Sequence, residues 1–418
     1  MKIAGIESLG VYLGAASLSA KLLGEHRNLD IDRVINNLII REKSVALPFE
    51  DPVSNAVNAA KTVVDKLSPE EKARIDMVIT CTESGVDMAK SVSSYVHYYL
   101  ELDKNCRIFE LKQACYAGTA GLQMALNSVV SNLMPGAKAL VICTDIYRML
   151  NHYKDEEGAA YYEPNTGVGA VALLISDTPE VLSFDLGANG YYGYEVWDSA
   201  QPKPDFHYGN ADLSLLTYMD AVEGSFLEYQ KRVSDINYHT SFDYMIYHTP
   251  FVGMVKGAHR SMMRKFAKAK RPLIDEDYKL RVEQGTEYCQ RVGNIMGGSL
   301  YLALAGLIDG ADFEEPKRVG LFSYGSGCAS EFFSGVITNK GKEKMSQMNI
   351  EQHLNDRYQL NIEEYESLFE YNENLRFGNK GIKIQKDFIL GAYKSIEGKG
   401  YLILDELGND YHRKYKWV

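Results

Sequence analysis

The stretch "QACYAGTAGLQMAL" at residues 113–126 decides the fold, because a counterpart recurs in the second half of the chain as "RVGNIMGGSLYLALAGLI" at 291–308. Both stretches are rich in small residues and have the pattern of a buried helix. An apolar segment with the pattern of a strand precedes each of them, and another follows. These segments are "IDMVITCTESG" (75–85), "KALVICTDIY" (138–147), "FDYMIYHTPF" (242–251) and "RVGLFSYGSG" (318–327). Strands that alternate with helices predict an α/β fold with parallel strands, here in two equivalent halves.

Polar side chains stand at matching places in the two halves. Glu83 and His248 follow the first strand of each half, and Cys115 and Asn294 lie near the start of each helix. Functional sites of α/β proteins gather at the carboxyl ends of strands. We therefore expect these four residues to meet in one pocket between the halves.

Cys115 fits two interpretations. Most free cysteines are buried fillers. At the start of a helix, however, unpaired N–H groups and the helix dipole favour a thiolate and can stabilise an oxyanion. Glu83 directly follows a buried strand, where desolvation raises the pKa of a carboxyl group toward the range of a general acid or base. A thiol, a carboxyl group and the imidazole of His248 together suit covalent acyl chemistry.

Two further features fit either a structural or a functional interpretation. Asn294 can cap its helix or donate a hydrogen bond to a substrate carbonyl. The glycine-rich "YGSG" at 324–327 can form a tight turn or press backbone N–H groups against a substrate. The sequence alone leaves both alternatives open.

The composition argues against several classes of protein. A net charge of −11 disfavours nucleic acid or an anionic membrane as the general partner. The chain lacks the run of about 18–20 apolar residues that a membrane-spanning helix needs, and "MKIAGIESLGVYLG" lacks the pattern of a secretory signal. Six cysteines without metal-ligand spacing predict a cytoplasmic protein without a metal site.

One basic segment, "KGAHRSMMRKFAKAKR" at 256–271, stands out from this acidic chain. If it is a helix, the basic residues spaced by four form one stripe on its surface. These are Lys256, Arg260, Arg264 and Lys268. The stripe is either a solvated face or a surface that attracts an acidic partner.

Several motifs in one order resemble the 3-hydroxy-3-methylglutaryl-CoA synthase family of the thiolase superfamily. They are "TESG" with Glu83, "QACYAGT" with Cys115, "HTPF" with His248, "GN" with Asn294, "YGSG", "EPNTGVGAVALL" (163–174) and "DLSLLTYMD" (212–220). The resemblance runs over nearly the whole chain. It implies the thiolase fold, an internally duplicated αβαβα arrangement. The two halves are expected at residues 1–175 and 176–418. The second half is expected to end in peripheral helices and a final strand.

The resemblance also implies a chemistry. Cys115 takes an acetyl group from a thioester, Glu83 removes a methyl proton, and His248 orients and protonates the oxygen of a second acyl thioester. It implies a homodimer and no cofactor beyond the phosphopantetheine of the substrates. The residues it assigns to substrate contacts are Asn294, Ser326, Gly327, Ser214, Tyr218 and Lys256.

Within the family, three stretches resemble the polyketide β-branching synthases, which act on acyl carrier proteins. They are "REKSVALPFEDPVSNAVNAAK", "NGYYGYEVWDS" and "HTPFVGMVKGAHRSMMRK". Gly253 stands where members that use CoA commonly carry a lysine, which puts one CoA phosphate contact in doubt. This resemblance implies donor and acceptor acyl carrier proteins as partners, bound through Arg260, Arg264, Lys265 and Lys268. The aromatic stretch at 145–164 departs from the subgroup and is expected to alter substrate or carrier contacts.

Three alternatives remain at this point. The first is a synthase of mevalonate metabolism that uses acetyl-CoA and acetoacetyl-CoA. The second is an inactive scaffold that binds carrier proteins, although a scaffold does not need Glu83, Cys115 and His248 together. The third is a condensing enzyme of the ketosynthase III type, which lacks a base equivalent to Glu83.

Overall fold

A computed structural model describes residues 2–150 and 162–418. In these residues a nine-stranded sheet forms the centre of the molecule. Its strands, numbered in chain order with the bounds given next, follow one another across the sheet as β11-β12-β13-β8-β1-β7-β6-β4-β5. The strands of this sheet are β1 (Gly5–Tyr12), β4 (Ile75–Cys81), β5 (Arg107–Leu111), β6 (Lys138–Ile146), β7 (Val168–Ser176), β8 (Leu182–Gly193), β11 (Tyr244–Tyr247), β12 (Lys317–Gly325) and β13 (Ala329–Ile337). The remaining strands are β2 (Ala16–Ser19), β3 (Glu42–Val45), β9 (Ser199–Lys203), β10 (Phe206–Gly209), β14 (Tyr358–Gln359), β15 (Ile382–Lys383), β16 (Leu402–Leu407) and β17 (Arg413–Trp417).

The strand order confirms the internal duplication. In the first half, β1, β7, β6 and β4 lie side by side, and in the second half β8, β13, β12 and β11 repeat the same order. The directions also repeat, since the first two pairings of each set are antiparallel and the third is parallel. A short antiparallel pairing of β1 with β8 joins the halves. Because one sheet is continuous across them, the boundary at residue 175 stays a prediction.

Helices cover the sheet and also lie between its two halves. Their bounds are α1 (Ala20–His26), α2 (Pro52–Val64), α3 (Pro69–Lys72), α4 (Val92–Tyr99), α5 (Ala117–Ser131), α6 (Ala211–Arg232), α7 (Val252–Phe266), α8 (Arg271–Arg281), α9 (Glu283–Thr286), α10 (Cys289–Val292), α11 (Gly298–Gly310), α12 (Asn339–Ser346), α13 (Ile350–Asn355), α14 (Ile362–Asn372) and α15 (Leu390–Ile396). A π-helix occupies Arg33–Leu38, and short 3-10 helices occupy Glu163–Asn165 and Glu373–Leu375.

The two helices of the opening motifs, α5 and α11, pack on each other, α11 being buried on all sides and α5 along one face. Every residue of α11 from Gly298 to Ile308 is buried, as expected for a helix that is apolar on all sides. The hydroxyl groups of Thr119 and Tyr301 lie 3.0 Å apart and join the two helices. A Cβ on Gly118 would lie 2.5 Å from Cys143 Sγ, so α5 approaches β6 this closely only because this position is glycine.

The C-terminal segment contains the expected peripheral helices, α12 to α15, but differs from the expected single final strand. Residues 382–417 contain three short strands, β15 to β17, that form an antiparallel sheet of their own. This sheet packs against α2, where the Asn58 side chain bonds to both backbone groups of Leu402 and Arg413 pairs with Asp51 at 3.0 Å. The chain end therefore supports the first half of the molecule. The single-strand expectation was wrong because all three strands are short and helix α15 separates β15 from the hairpin of β16 and β17.

No helix in the described part of the chain is long and apolar enough to cross a membrane.

Candidate active site

Cys115 and Glu83 form the centre of the site. Cys115 lies two residues before α5, and Glu83 lies two residues after β4. The Cys115 thiol donates a hydrogen bond to Glu83 Oε1, with the sulfur and oxygen 3.2 Å apart. The sequence prediction that these two residues meet is therefore confirmed.

The electrostatics of the pair differ from the expected thiolate. Burial raises the pKa of the Cys115 thiol well above its usual value, and the nearby Glu83 carboxyl group raises it further. Burial also raises the pKa of Glu83. The start of α5 does not offset these effects, so the structure holds a protonated thiol next to a carboxyl group that can accept its proton.

Asp145 holds the turn that carries Glu83, and the sequence analysis missed it. Its Oδ1 atom accepts hydrogen bonds from the Glu83 N–H group at 2.8 Å, from the Thr82 hydroxyl at 3.0 Å, and from the N–H and hydroxyl groups of Ser84 at 3.1 and 2.8 Å. A signal was present, since Asp145 lies at the carboxyl end of β6, beside the strand that precedes Glu83. It fixes the position of the carboxyl group that faces Cys115.

His248 directly follows β11, as predicted. Its backbone N–H group donates a hydrogen bond to the Phe322 carbonyl on β12, and its backbone carbonyl accepts one from the Tyr218 hydroxyl, both at 2.7 Å. Tyr218 is fully buried, so the contact that the structure shows for it is with His248 rather than with an open pocket. Burial lowers the pKa of His248 to about 3, which keeps the imidazole neutral.

Loops of the second half enclose the Cys115 loop. Gly325, at the end of β12, is so close that a Cβ there would lie 2.6 Å from the Tyr116 nitrogen. Met296 Sδ lies 4.0 Å from Cys115 Sγ. His248 pairs with β12 three residues before Gly325, so its backbone lies about 10 Å along that strand from the point where β12 meets the Cys115 loop. That the imidazole and the thiol act in one site stays a prediction.

Asn294 does not cap α11, because Gly297 occupies the cap position, but its side chain holds the loop before that helix. Its Oδ1 atom accepts hydrogen bonds from the Met296 N–H group at 2.9 Å and from the Ser299 hydroxyl at 3.1 Å, just before α11. The Asn294 backbone lies beside Thr166 in an isolated β-bridge. The side-chain oxygen is therefore committed, and the amide N–H₂ group is the part of Asn294 that remains to donate to a substrate.

Asp198 organises the glycine-rich loop at 324–327. The buried Asp198 carboxylate accepts hydrogen bonds from the Gly327 N–H group and the Tyr324 hydroxyl, both at 2.9 Å, and from the Ser214 hydroxyl at 3.1 Å. Ser326 lies within this loop. The Ser214 hydroxyl thus bonds to Asp198, a residue that the sequence analysis did not identify as part of the site.

The basic segment is only partly a helical stripe. Lys256, Arg260 and Arg264 lie on α7, but this helix ends at Phe266, and Lys268 follows it with a left-handed backbone (φ 53°). The prediction that Lys268 continues the stripe is wrong, because four-residue spacing aligns side chains only within one helix. Lys265 also lies on α7, where it forms an ion pair with Glu223 of α6.

A cleft of about 250 Å³ separates α7 from α8. Its lining residues are Lys256, Arg260, Arg271, Asp275, Tyr278, Lys279 and Glu283. Four of these are cations, and Lys256 Nζ lies 5.4 Å from the ring centre of Tyr278. Lys256, Arg260 and Arg271 of the basic segment therefore share this cleft with Lys279 and with two acids, Asp275 and Glu283.

Residues 151–161, most of the aromatic stretch at 145–164, lie outside the described residues. In the described parts of the chain, no group of histidine, cysteine or acidic side chains is arranged to hold a metal ion.

A duplicated α/β fold with a cysteine, a glutamate and a histidine at the junction of its halves defines a thiolase-fold condensing acyltransferase. Family models described as the N-terminal and C-terminal parts of hydroxymethylglutaryl-coenzyme A synthase match residues 2–180 and 259–417. The chain therefore belongs to the hydroxymethylglutaryl-CoA synthase family.

Relatives within the family are of two kinds. The chain is 53% identical, over the full length of both proteins, to the polyketide biosynthesis 3-hydroxy-3-methylglutaryl-ACP synthase PksG of Bacillus subtilis. It is 31% identical to the hydroxymethylglutaryl-CoA synthase of Enterococcus faecalis, over 87% of this chain and 91% of that one. The crystal structure of the curacin biosynthetic pathway HMG synthase in complex with acetyl donor-ACP matches over 100% of both chains, with 53% identity and a TM-score of 0.97.

Proposed function

We propose that the protein is a β-branching synthase that joins two acyl groups carried by acyl carrier proteins. An acetyl group passes from a donor carrier protein to Cys115 and is then added to the β-ketone of an acyl chain on an acceptor carrier protein. The hydrogen-bonded pair of Cys115 and Glu83 carries this proposal. The 53% sequence identity to a 3-hydroxy-3-methylglutaryl-ACP synthase, over the full length of both chains, supports carrier proteins rather than CoA as the carriers of the substrates.

Acetylation of Cys115 begins from a protonated thiol. The sulfur attacks the acetyl thioester, and its proton leaves through the Glu83 carboxylate, 3.2 Å away, to the departing pantetheine thiol. The products are acetyl-Cys115 and a free carrier thiol. Because Glu83 then returns to its carboxylate form, it is ready to act as the base in the next step.

Condensation and hydrolysis follow at the same place. Glu83 removes a proton from the acetyl methyl group, and the resulting carbanion attacks the ketone carbon of the acceptor chain. The neutral imidazole of His248 donates a hydrogen bond to the ketone oxygen, a role that needs no charged histidine. The alkoxide formed by the attack takes up this N–H proton, and the proton that Glu83 removed replaces it on the imidazole, which gives the 3-hydroxyl group and returns Glu83 to its carboxylate form. Water then cleaves the enzyme thioester, which frees Cys115 and leaves a 3-hydroxy-3-carboxymethyl branch on the acceptor.

The remaining assignments complete the proposal. The amide group of Asn294 and the loop with Ser326 and Gly327 receive the acceptor acyl group. Lys256 faces the phosphopantetheine phosphate, and Arg260, Arg264, Lys265 and Lys268 face the acidic carrier protein. We further propose a cytoplasmic homodimer that needs no resident cofactor.

Intact-protein mass spectrometry tests the proposal directly. The enzyme is incubated with an acetylated donor carrier protein of the same biosynthetic system and, separately, with acetyl-CoA. We expect an acetyl adduct that forms much faster from the carrier protein, that disappears in Cys115→Ala, and that persists in the control Cys106→Ala, a half-buried cysteine elsewhere. Fast acetylation by CoA alone would instead assign a CoA-dependent synthase, and no adduct from either donor would favour a scaffold.

Glu83→Gln separates the two chemical steps. The amide cannot remove a methyl proton, so condensation with the acceptor should fall by at least about a thousandfold. Acetyl-Cys115 should still form, but more slowly, because the thiol proton must then leave through solvent instead of through Glu83. Single-turnover assays of adduct formation and of branched product measure the steps separately. Normal condensation by the variant would show that another group is the base.

A further inference from the structure

An exposed apolar surface lies beside the site and has no place in the chemistry described so far. Trp197 and Tyr208, which are 58% and 42% exposed, form its first part. Leu215 and Leu216, 38% and 67% exposed, directly follow Ser214, whose hydroxyl bonds to Asp198 next to Trp197, and we refer to the four residues as the Trp197 patch. The rings of Trp197 and Tyr208 lie 6.3 Å apart. Large apolar side chains grouped on a surface mark a site of interaction.

Two hydrogen-bonded residues attach the patch to the catalytic loops. Asp198, the neighbour of Trp197, binds the N–H group of Gly327 at 2.9 Å and the hydroxyl of Ser214 at 3.1 Å. Ser214 in turn is the neighbour of Leu215. The patch therefore begins one residue from the groups that hold the glycine-rich loop of the site.

The helix that carries the two leucines continues to the catalytic histidine. Leu215 and Leu216 lie in the first turns of α6, and Tyr218 of the same helix donates its hydroxyl to the His248 carbonyl. A partner seated on the patch is thus within about one helical turn of the group that holds His248.

The cationic helix lies next to the same helix α6. Glu223 of α6 pairs with Lys265 of α7, and a Cβ on Gly257 of α7 would lie 3.2 Å from Met219 of α6. The cleft between α7 and α8 adds Arg260 and Lys279 on the other side of α7. The apolar patch and the cations thus belong to neighbouring elements around one site.

These observations select the partner. An enzyme with a net charge of −11 repels an acidic protein at long range, so local cations must steer it into place. Exposed charge pairs contribute little binding free energy, whereas a few buried contacts, most often of tryptophan and tyrosine, contribute most of it. A partner with acidic residues beside an apolar helix face, as in acyl carrier proteins, matches both features.

We infer that the Trp197 patch is the apolar anchor for the acyl carrier protein, which buries it while acidic residues of the carrier face α7 and α8. This inference rests on the proposed function, because only a carrier-bound substrate requires such a surface. It adds residues that the basic segment alone did not identify.

Kinetics with two acetyl donors test the inference. Trp197→Ala and Leu216→Ala should each reduce acetylation of Cys115 by the acetylated donor carrier protein about tenfold or more. Acetylation by acetyl-pantetheine, which lacks the protein part, should be unchanged. The matched control is Leu133→Ala, which removes a leucine that is 85% exposed at another place and should leave both rates unchanged.

Fluorescence gives a second measurement that needs no acetyl transfer. The chain has two tryptophans, so Trp417→Phe leaves Trp197 as the sole tryptophan emitter. Addition of apo carrier protein that lacks tryptophan should shift the emission to shorter wavelength as Trp197 becomes buried. Because this readout is independent of catalysis, the docking inference and the proposed function can fail separately.

Three results would overturn the inference. In the first, the variants keep the wild-type rate with the carrier protein and the emission does not shift. In the second, both donors slow equally, which would mean that the patch shapes the site itself. In the third, Leu216→Ala changes the sedimentation coefficient from that of a dimer to that of a monomer, which would assign the patch to a second copy of the chain.

Discussion

At the scale of single residues, the protonation of the Cys115 and Glu83 pair is the property that the sequence could not reveal. The motif identifies a nucleophile and a carboxyl group, and the structure brings them to 3.2 Å. Burial then raises the pKa of both groups, which opposes the effect of the helix start on the thiol. The local sequence contains the helix start, but the burial depends on loops more than 170 residues away, such as that of Met296.

Tyr218→Phe tests how the catalytic histidine is held. The change removes the hydroxyl that donates to the His248 carbonyl and should cost about 1 kcal/mol of unfolding free energy. A less constrained imidazole should slow condensation about tenfold while acetylation of Cys115 is retained. Urea denaturation and single-turnover assays measure the two effects.

The same helix provides a matched control for this prediction. Tyr229 is also buried in α6, and its hydroxyl lies 2.8 Å from that of Ser334, away from His248. Tyr229→Phe should lose a similar amount of stability but keep the wild-type rate of condensation. Equal slowing by both variants would show that the effect on rate comes from general destabilisation.

At the scale of elements, Gly253 explains how the π-helix Arg33–Leu38 packs on α7. A Cβ at Gly253 would overlap the carbonyl oxygen of Asn37, so only glycine allows this approach. Gly253→Ala should destabilise the protein by about 1–3 kcal/mol, as overpacking does elsewhere. Hydrogen exchange should increase most at residues 33–38.

Gly257 on the same helix is the control for Gly253. A Cβ there would meet only the flexible end of Met219 at 3.2 Å, and alanine favours helix more than glycine does. Gly257→Ala should therefore be neutral or stabilise the protein slightly in thermal unfolding. Destabilisation by both changes would mean that α7 tolerates no added side chain and that the Asn37 contact is not the cause.

The elements also show how far the sequence leads. The strands before Glu83 and His248 and the helices after Cys115 and Asn294 were predictable, because long apolar segments with sharp polar ends identify buried elements. The exact ends of these elements and their tertiary contacts were not predictable. The end of α7 before Lys268 and the contact of Asp145 with Glu83 depend on packing between separate segments, which a local pattern does not contain.

At the scale of the whole molecule, the two halves are joined by a buried carboxyl group. Glu331 on β13 accepts hydrogen bonds from the Tyr116 hydroxyl at 2.7 Å and from Gln123 at 2.9 Å, both of the first half, and also from Asn189 on β8. Tyr116 is the neighbour of Cys115, so this contact connects the nucleophile loop to the second half. The partners lie about 140 to 215 residues from Glu331 along the chain, which is why no local sequence pattern indicated them.

Glu331 should make the stability of the protein depend on pH. Burial raises the pKa of Glu331 from 4.5 to about 7. The folded state therefore binds more protons than the unfolded state between these values, and the unfolding free energy should fall as the pH rises from about 4.5 to about 7. The shift corresponds to at most about 3 kcal/mol. Urea denaturation at several pH values measures this slope.

Glu331→Gln isolates this contribution from those of other buried acids such as Glu83 and Asp145, whose pKa values are also raised. Glutamine keeps a carbonyl oxygen for one donor but cannot ionise. The difference in unfolding free energy between wild type and variant should therefore change by up to about 3 kcal/mol between pH 4.5 and 7 and stay constant above that range. A difference that does not vary with pH would show that Glu331 ionises in the fold as readily as in the unfolded chain, and that the junction of the halves is more hydrated than its contacts indicate.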